Sequence, residues 1–341
     1  MRRRWIALSI AFVTCGSIYA ANASWLAPTP MGVPRVLAHR GVHQTFSHEG
    51  LTADSCTATR INPPTNPYLE NTLPSMRASM AAGASAFEID VHPTTDGEFA
   101  VFHDWTLDCR TNGHGVTREQ SMAYLKTLDV GYGYTADGGR TFPFRGQGVG
   151  MMSTLHEVLA AFPETPIVIN IKSQDPTESE RLIAYLKAHG HPTDERLWVY
   201  ARGAAHDRLR ELAPHARVDS KERGRACVKQ YLAFGWSGYV PDACKNATIG
   251  VPVNFRWAYW GWPNRFLKRM KEAGAEVILV GPYGQQDGLG VSQVEQLQTV
   301  PEGFTGMILT DDIEVIGPEA LRRWPLPEHL ILTGKTRRTP A

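Results

Sequence analysis

The chain has 341 residues, 43% hydrophobic and 20% charged, the proportions of a folded globular protein. A formal net charge of +1 leaves no basic excess to hold nucleic acid electrostatically, and no acidic tail is present. Charge therefore says little else about partners.

Three arginines follow Met1, and an apolar stretch runs from Trp5 to Tyr19. Ala21-Asn22-Ala23 then offers a small-x-small cleavage site before Ser24. This pattern predicts a secretory signal peptide over residues 1–23. The apolar run falls short of the roughly 20 residues of a membrane span, so an uncleaved anchor is the second reading. The expected mature chain is exported (periplasmic or secreted) and soluble, a single domain over 24–341 with its core at about 35–320. Export permits disulfides. Loss of Cys15 leaves Cys56, Cys109, Cys227 and Cys244, whose spacing fits no zinc clip.

Short β-branched runs then alternate with helical patterns. Strands are expected at 35–39, 86–91, 99–103, 167–171, 197–201, 217–219, 251–254, 276–280 and 306–309. Helices are expected at 73–82, 118–127, 154–161, 177–189, 205–213, 227–234, 264–273 and 291–298. Such alternation over most of the chain predicts a parallel sheet, with a closed (β/α)8 TIM barrel first and a doubly wound open sheet second. No glycine-rich phosphate fingerprint follows the first strand. The connections at 42–69 and 131–152 are long. Long loops in compact domains are commonly functional, and both would lie at the face where barrel enzymes build their sites.

The first strand ends in His39-Arg40-Gly41, placing an imidazole and a guanidinium at the barrel mouth. In "FEIDVHPTTDGEFAVFHD" (87–104), Glu88, Asp90 and His92 share one face, because strand residues two apart point the same way. Two ionised carboxylates so close repel. A divalent cation with oxygen ligands resolves the conflict. The alternative is one neutral carboxyl, or pairing with Arg40 or Lys172. Asp96-Gly97 turns the chain and brings His103 back beside the carboxylates. His92 reads as supporting rather than reacting. By the same parity Asn170 and Lys172 share a face, and a lysine pointing into a barrel needs an anion, for which phosphate is suited. Two histidines, an expected oxygen-bound cation, an arginine and a lysine suit the cleavage of a phosphodiester.

His39-Arg40-Gly41, Glu70-Asn71-Thr72, Glu88-Ile89-Asp90-Val91, Thr95-Asp96-Gly97 and His103-Asp104 occur in this order. With "LDCRTNGHGVT", "TLHEVL" and "GMILTDD" they make the chain resemble the glycerophosphodiester phosphodiesterases over about 36–318. The resemblance implies a TIM barrel with an extended loop after the first strand. It implies metal-dependent hydrolysis of glycerophosphodiesters to glycerol 3-phosphate and an alcohol. His39 and His103 would be the acid/base pair. Glu88 and Asp90 would hold Ca2+ or Mg2+, while Arg40 and Lys172 would contact the phosphate. Glu70 would sit at the site as ligand or support. One position departs from the family: Asn170 stands where a third acidic ligand is usual, and would offer an amide oxygen without charge. Two other readings share the fold, a sphingomyelinase D-type phospholipase acting on lysolipids and a non-catalytic barrel that binds phosphodiester head groups. Either way the partner is a small-molecule substrate, with no nucleic acid and no obligatory membrane span. Trp257, Tyr259, Trp260 and Trp262 could line a substrate pocket or pack between barrel and helices. A Cys56–Cys109 bridge would pin the long loop over the site, and Cys227–Cys244 would form a second bridge.

Overall fold

Eight parallel strands wrap almost completely around one axis in a computed structural model that describes residues 2–52, 55–284 and 289–325. The part of the expected domain beyond 325 lies outside the described residues. The strands are β1 (Arg35–His39), β2 (Ala86–Pro93), β4 (Ile167–Ile171), β5 (Trp198–Tyr200), β6 (Arg217–Asp219), β7 (Thr248–Pro252), β8 (Glu276–Val280) and β9 (Met307–Thr310), in the order β6-β5-β4-β2-β1-β9-β8-β7. The seam between β6 and β7 is closed by side chains: Asp219 accepts from the Thr248 N–H at 2.7 Å and from its hydroxyl. The fold is the expected (β/α)8 barrel.

β3 (Phe99–Val101) is not a barrel stave. It folds back antiparallel on β2, with Val91 opposite Val101. It ends before His103, two residues short of the expected strand. β2 is buried along its whole length, as a strand packed on both faces must be. Phe87, Ile89 and Val91 join the core between barrel and helices, while Ala86 packs inside the barrel with Leu37, Val168 and Met307.

The helices are α1 (Arg2–Asn22), α2 (Leu73–Ala81), α3 (Met122–Leu125), α4 (Leu155–Ala161), α5 (Pro176–Ala188), α6 (Gly203–Leu212), α7 (Lys221–Phe234), α8 (Asn264–Glu272), α9 (Val294–Leu297) and α10 (Ile313–Arg323). Thr72 caps α2 by accepting from the Ser75 N–H, with Pro74 in the first turn where its missing donor costs nothing. Thr154 and Glu157 close a capping box on α4.

Several boundaries differ from the sequence pattern. The helix expected at 118–127 is broken, because Ser121 caps a new short helix and Asp96 accepts from the Met122 and Ala123 N–H groups. β7 begins at Thr248, earlier than the valines at 251 and 253 suggested, because Asp219 fixes Thr248 at the seam. α7 starts six residues early, capped by Ser220. α9 is confined to four residues.

α1 exposes its apolar side chains and is, among the described residues, the one helix long and apolar enough to cross a membrane. Its end is tied to the barrel: Asn22 donates to the Trp236 carbonyl at 2.7 Å and Arg269 to the Ala21 carbonyl at 3.0 Å. The two long connections share a small core with the segment that follows β3, including Ala58, Ile61 and Leu69, Tyr134 and Phe144, and Leu107. Cys56 and Cys109 form a disulfide across it, and Cys227–Cys244 forms a second.

Candidate active site

The chain turns sharply as β1 ends. Arg40 and Gly41 both have positive φ, 60° and 78°. At Gly41 a side chain would run into the Ser75 hydroxyl and the α2 backbone, so only glycine fits. Asn71 is left-handed too, at φ 59°, and its N–H donates to the Arg40 carbonyl at 3.1 Å. Non-glycine residues in this region cost about 1–3 kcal/mol each, and such strain gathers where side chains must be aimed. Here it aims Arg40 and His39 into a cavity of about 970 Å³ whose wall also carries Glu70, His103 and Asp311.

Each histidine is held by a carboxylate. His39 Nδ1 donates to Asp311 Oδ1 at 2.5 Å, and its Nε2 lies 3.7 Å from Glu88 Oε2. Asp311 follows β9 and is fixed by the N–H groups of Leu289 and Gly290, at 3.0 and 2.9 Å. His103 Nδ1 donates to Asp104 Oδ1 at 2.6 Å. A carboxylate only accepts, so both rings carry the proton on Nδ1 and present Nε2 outward. Their surroundings push them apart. Burial and the Arg40 charge oppose protonation of His39, yet the Asp311 charge and hydrogen bond, with Glu88, raise it above its ordinary value. Burial, then Arg40, lowers His103.

The paired carboxylates share β2 and meet different neighbouring staves: in the sheet register Glu88 lies beside His39 of β1 and Asp90 beside Asn170 of β4. Asp90 is fully compensated. It accepts from Lys172 Nζ at 3.0 Å, Asn71 at 3.0 Å and Asn170 at 3.1 Å, and Arg40 Nε lies 3.3 Å away. Burial opposes its charge, but Lys172 and Arg40 outweigh it and hold Asp90 well below the usual carboxylate range. Glu88 is different. Asn170 donates to its Oε1 at 2.9 Å, but its buried Oε2 has no hydrogen-bond partner. Burial, then the Asp90 charge, pushes Glu88 up to about 7. Pairing with Arg40 and Lys172 thus accounts for Asp90, while Glu88 has only the His39 ring 3.7 Å from Oε2 and no hydrogen bond on that oxygen. An orphaned carboxylate oxygen beside a second carboxylate fits a hard divalent cation. Asn170 turns its NH2, not its oxygen, toward both acids, so it would become a ligand only after its amide turns over.

Glu70 accepts from Arg40 at 3.1 Å and lies 3.0 Å from Arg110 Nη1. Burial opposes its charge, but Arg110 and Arg40 lower it to about 2. Arg110, 3% exposed, also donates to Asp104 at 2.9 Å, Tyr134 at 2.6 Å and Thr57 at 2.7 Å. One guanidinium therefore joins the support of His103 to the support of Arg40. Thr57 and Arg110 each follow a cysteine of the Cys56–Cys109 bridge. His92 is buried against Trp105, with Nε2 3.5 Å from the His103 carbonyl. Burial, then Lys172, lowers it to about 4, a neutral support.

The structure therefore gathers His39, Arg40, Glu70, Glu88, Asp90, His103, Asn170 and Lys172 at one end of the barrel. The tryptophan-rich stretch stays apart from the cavity. Tyr259 is buried in the barrel–helix core, Trp262 packs on Phe266 and Phe304, and Trp257 is 74% exposed. Sequence reasoning missed Asp311, Arg110 and His43. The parity of "ILTDD" at the last strand's end is the one signal that could have found Asp311.

A family model for the glycerophosphoryl diester phosphodiesterase family matches residues 39–220, more than half of the chain. The chain is 29% identical over 154 residues to a glycerophosphodiester phosphodiesterase of Caldanaerobacter subterraneus subsp. tengcongensis, covering 44% of this chain and 59% of that one. It is 35% identical over 126 residues to a Bacillus subtilis glycerophosphodiester phosphodiesterase, covering 35% and 42%. The matches thus span about half of those relatives' length. A solved glycerophosphoryl diester phosphodiesterase domain from Mycobacterium tuberculosis superposes with a TM-score of 0.57 at 16% identity, over 85% of this chain and all of that one, which shows the shared fold.

Proposed function

Because the chain belongs to the glycerophosphoryl diester phosphodiesterase family, we propose that it hydrolyses glycerophosphodiesters to glycerol 3-phosphate and an alcohol. One observation carries the reading: two carboxylate-held histidines at one cavity are pushed in opposite directions, His39 up and His103 down. Titratable pairs separated this way mark the acid and the base. Arg40 and Lys172 would bind the phosphate, and Glu70 would hold Arg40 in place.

His103 Nε2 takes the proton of the glycerol hydroxyl next to the phosphoester. That oxygen attacks phosphorus as the bond to the leaving alcohol breaks, and His39 delivers its Nε2 proton to the departing oxygen. In the second half His39 takes a proton from water, the water oxygen opens the cyclic phosphate, and His103 returns its proton to the ring oxygen. Each proton transfer contributes about 10²–10⁴-fold in rate. Glu88 and Asp90, joined by a turned Asn170 amide, would hold Ca2+ or Mg2+, which supplies Lewis-acid stabilisation of charge on the phosphoryl oxygens.

The enzyme would act outside the cytoplasm after loss of residues 1–23, as a single domain from Ser24. The apolar α1 and the two disulfides support that location. Among the described cavity residues only Phe46, Leu51 and Leu289 are large and apolar, which favours a polar head group over an acyl chain.

The test is a release assay over glycerophosphocholine, other glycerophosphodiesters and lysophosphatidylcholine, with and without Ca2+ or Mg2+. Hydrolysis of the deacylated diesters, lost in both His39→Ala and His103→Ala, is expected. Activity that survives both substitutions, or is confined to the lysolipid, overturns the reading.

A further inference from the structure

We infer that His39, His43 and Asp311 form a second cation site, distinct from the Glu88–Asp90 pair, which takes a borderline divalent ion of the Zn2+ class and suppresses catalysis when filled. One ligand atom from each of the three residues lies within 4.8 Å of the other two. His43 gives the arrangement its direction. The residue is 8% exposed, and its Nδ1 faces the Gln44 carbonyl at 3.2 Å, so that nitrogen carries the proton. Its Nε2 lone pair is left facing Asp311 Oδ1 at 4.0 Å. Both are acceptors, and the one proton nearby, on His39 Nδ1, is already given to Asp311 Oδ1 at 2.5 Å, which leaves His43 Nε2 without a donor of its own there. A cation supplies what is missing.

The spacing can be drawn in around one. A tetrahedral ion with bonds of about 2.1 Å holds its ligand atoms about 3.4 Å apart, so the 4.0 Å separation of His43 Nε2 and Asp311 Oδ1 must close by about 0.6 Å. The shorter 2.5 Å contact of His39 Nδ1 with Asp311 must open by less than about 1 Å to admit it. The donors choose the metal. Two imidazoles and a carboxylate favour Zn2+, Co2+ or Ni2+ over Ca2+ and Mg2+, which prefer all-oxygen sets. Three protein ligands leave the fourth position open, and here it faces the cavity. The Asp311 carboxylate is already fixed from behind through Oδ2 by two backbone N–H groups, the outer support that metal ligands commonly have.

Binding replaces the Nδ1 proton of His39, which leaves to solvent, by a metal bond. The ring's electrons are drawn toward the ion, so Nε2 becomes a poorer base, and Asp311 no longer stabilises the imidazolium. The suppression rests on the role proposed above for His39. The binding does not.

The experiment uses the full exported chain. Zn2+ is titrated into a glycerophosphocholine assay in saturating Ca2+, and Co2+ binding is followed by the visible d–d bands of four-coordinate cobalt. His43→Ala and the bulkier His43→Phe remove one ligand, whereas Glu88→Gln leaves all three. Expected are inhibition of the unaltered enzyme that Ca2+ does not relieve, basal activity within about 3-fold in the His43 variants, and a Zn2+ requirement raised at least about 100-fold, the top of the range for losing outer support alone. Four-coordinate Co2+ bands should survive Glu88→Gln and vanish in both His43 variants. Absence of the bands in the unaltered chain, or their survival in the His43 variants, overturns the site. Bands without inhibition overturn the suppression. If no glycerophosphodiester is cleaved at all, the proposed function fails while the cobalt readout still decides the site.

Discussion

Replacing Asn170 by Glu should lower ion-free stability while enlarging the stabilisation that a bound ion adds. Without an ion, the Asn170 amide donates to Glu88 at 2.9 Å and to Asp90 at 3.1 Å. Hydrogen bonds to charged groups are worth about 1.5–3 kcal/mol each, so the variant loses about 3–6 kcal/mol before the new carboxylate's repulsion is added. At roughly 2–4 °C per kcal/mol, its Tm in chelator should fall by at least about 6 °C. With Ca2+ present the added charge becomes a ligand. A tenfold gain in affinity is about 1.4 kcal/mol. At an ion concentration 100 times the parent's Kd, the parent gains about 2.7 kcal/mol and the variant about 4.1. Calorimetry with chelator and with Ca2+ measures all four states, and Asn170→Ala controls for loss of the donors alone. A Ca2+-induced rise in Tm no larger for the glutamate variant than for the parent would refute position 170 as part of the cation site.

Activity should follow a bell-shaped pH profile. The base must be neutral, so activity is lost as pH falls through the depressed pKa of His103; the acid must be protonated, so it is lost as pH rises through the raised pKa of His39. Asp311→Asn removes a main cause of the His39 shift and should move the alkaline limb to lower pH; an unmoved limb contradicts the assignment. In a double-mutant cycle, Arg110→Met and Glu70→Gln should couple in Tm and kcat by about 1–3 kcal/mol, whereas additivity within about 0.5 kcal/mol would show the guanidinium does not join the two halves. Opening the Cys56–Cys109 bridge, which closes a separation of 53 residues, should cost about 4 kcal/mol of stability, read from urea unfolding of the double serine variant. Intact mass of exported protein should begin at Ser24, and a full-length mass would instead make α1 an anchor.

The barrel and half the site were legible because their signals are local. Alternation in 87–91 separates core from cavity residues, and the histidines stand at strand ends. Residues that act through distant partners left no such trace. Asp311 is 272 positions from His39, and Arg110 is 40 from Glu70 and 53 from Thr57. An arginine in a loop rich in Thr, Asn and Gly reads as solvent-exposed until the fold buries it against two acids. The broken helix at 118–127 failed for the same reason. Its periodicity was sound, but Asp96, brought close by the β2–β3 hairpin, takes the N–H groups on which an uninterrupted helix would draw.

The substitution at 170 alters the charge balance more than the architecture. Asp90 already has Lys172 and Arg40 beside it, and Glu70 has Arg40 and Arg110. A third acid at 170 would add a carboxyl to the ion-free barrel and remove the Asn170 donor from Glu88, which burial and Asp90 already push up to about 7. The same ring that contacts Glu88 through Nε2 meets Asp311 and His43 through Nδ1. With both proposed sites, hard and borderline ions would address opposite edges of one imidazole, and the ion present would decide whether His39 carries a proton or a metal.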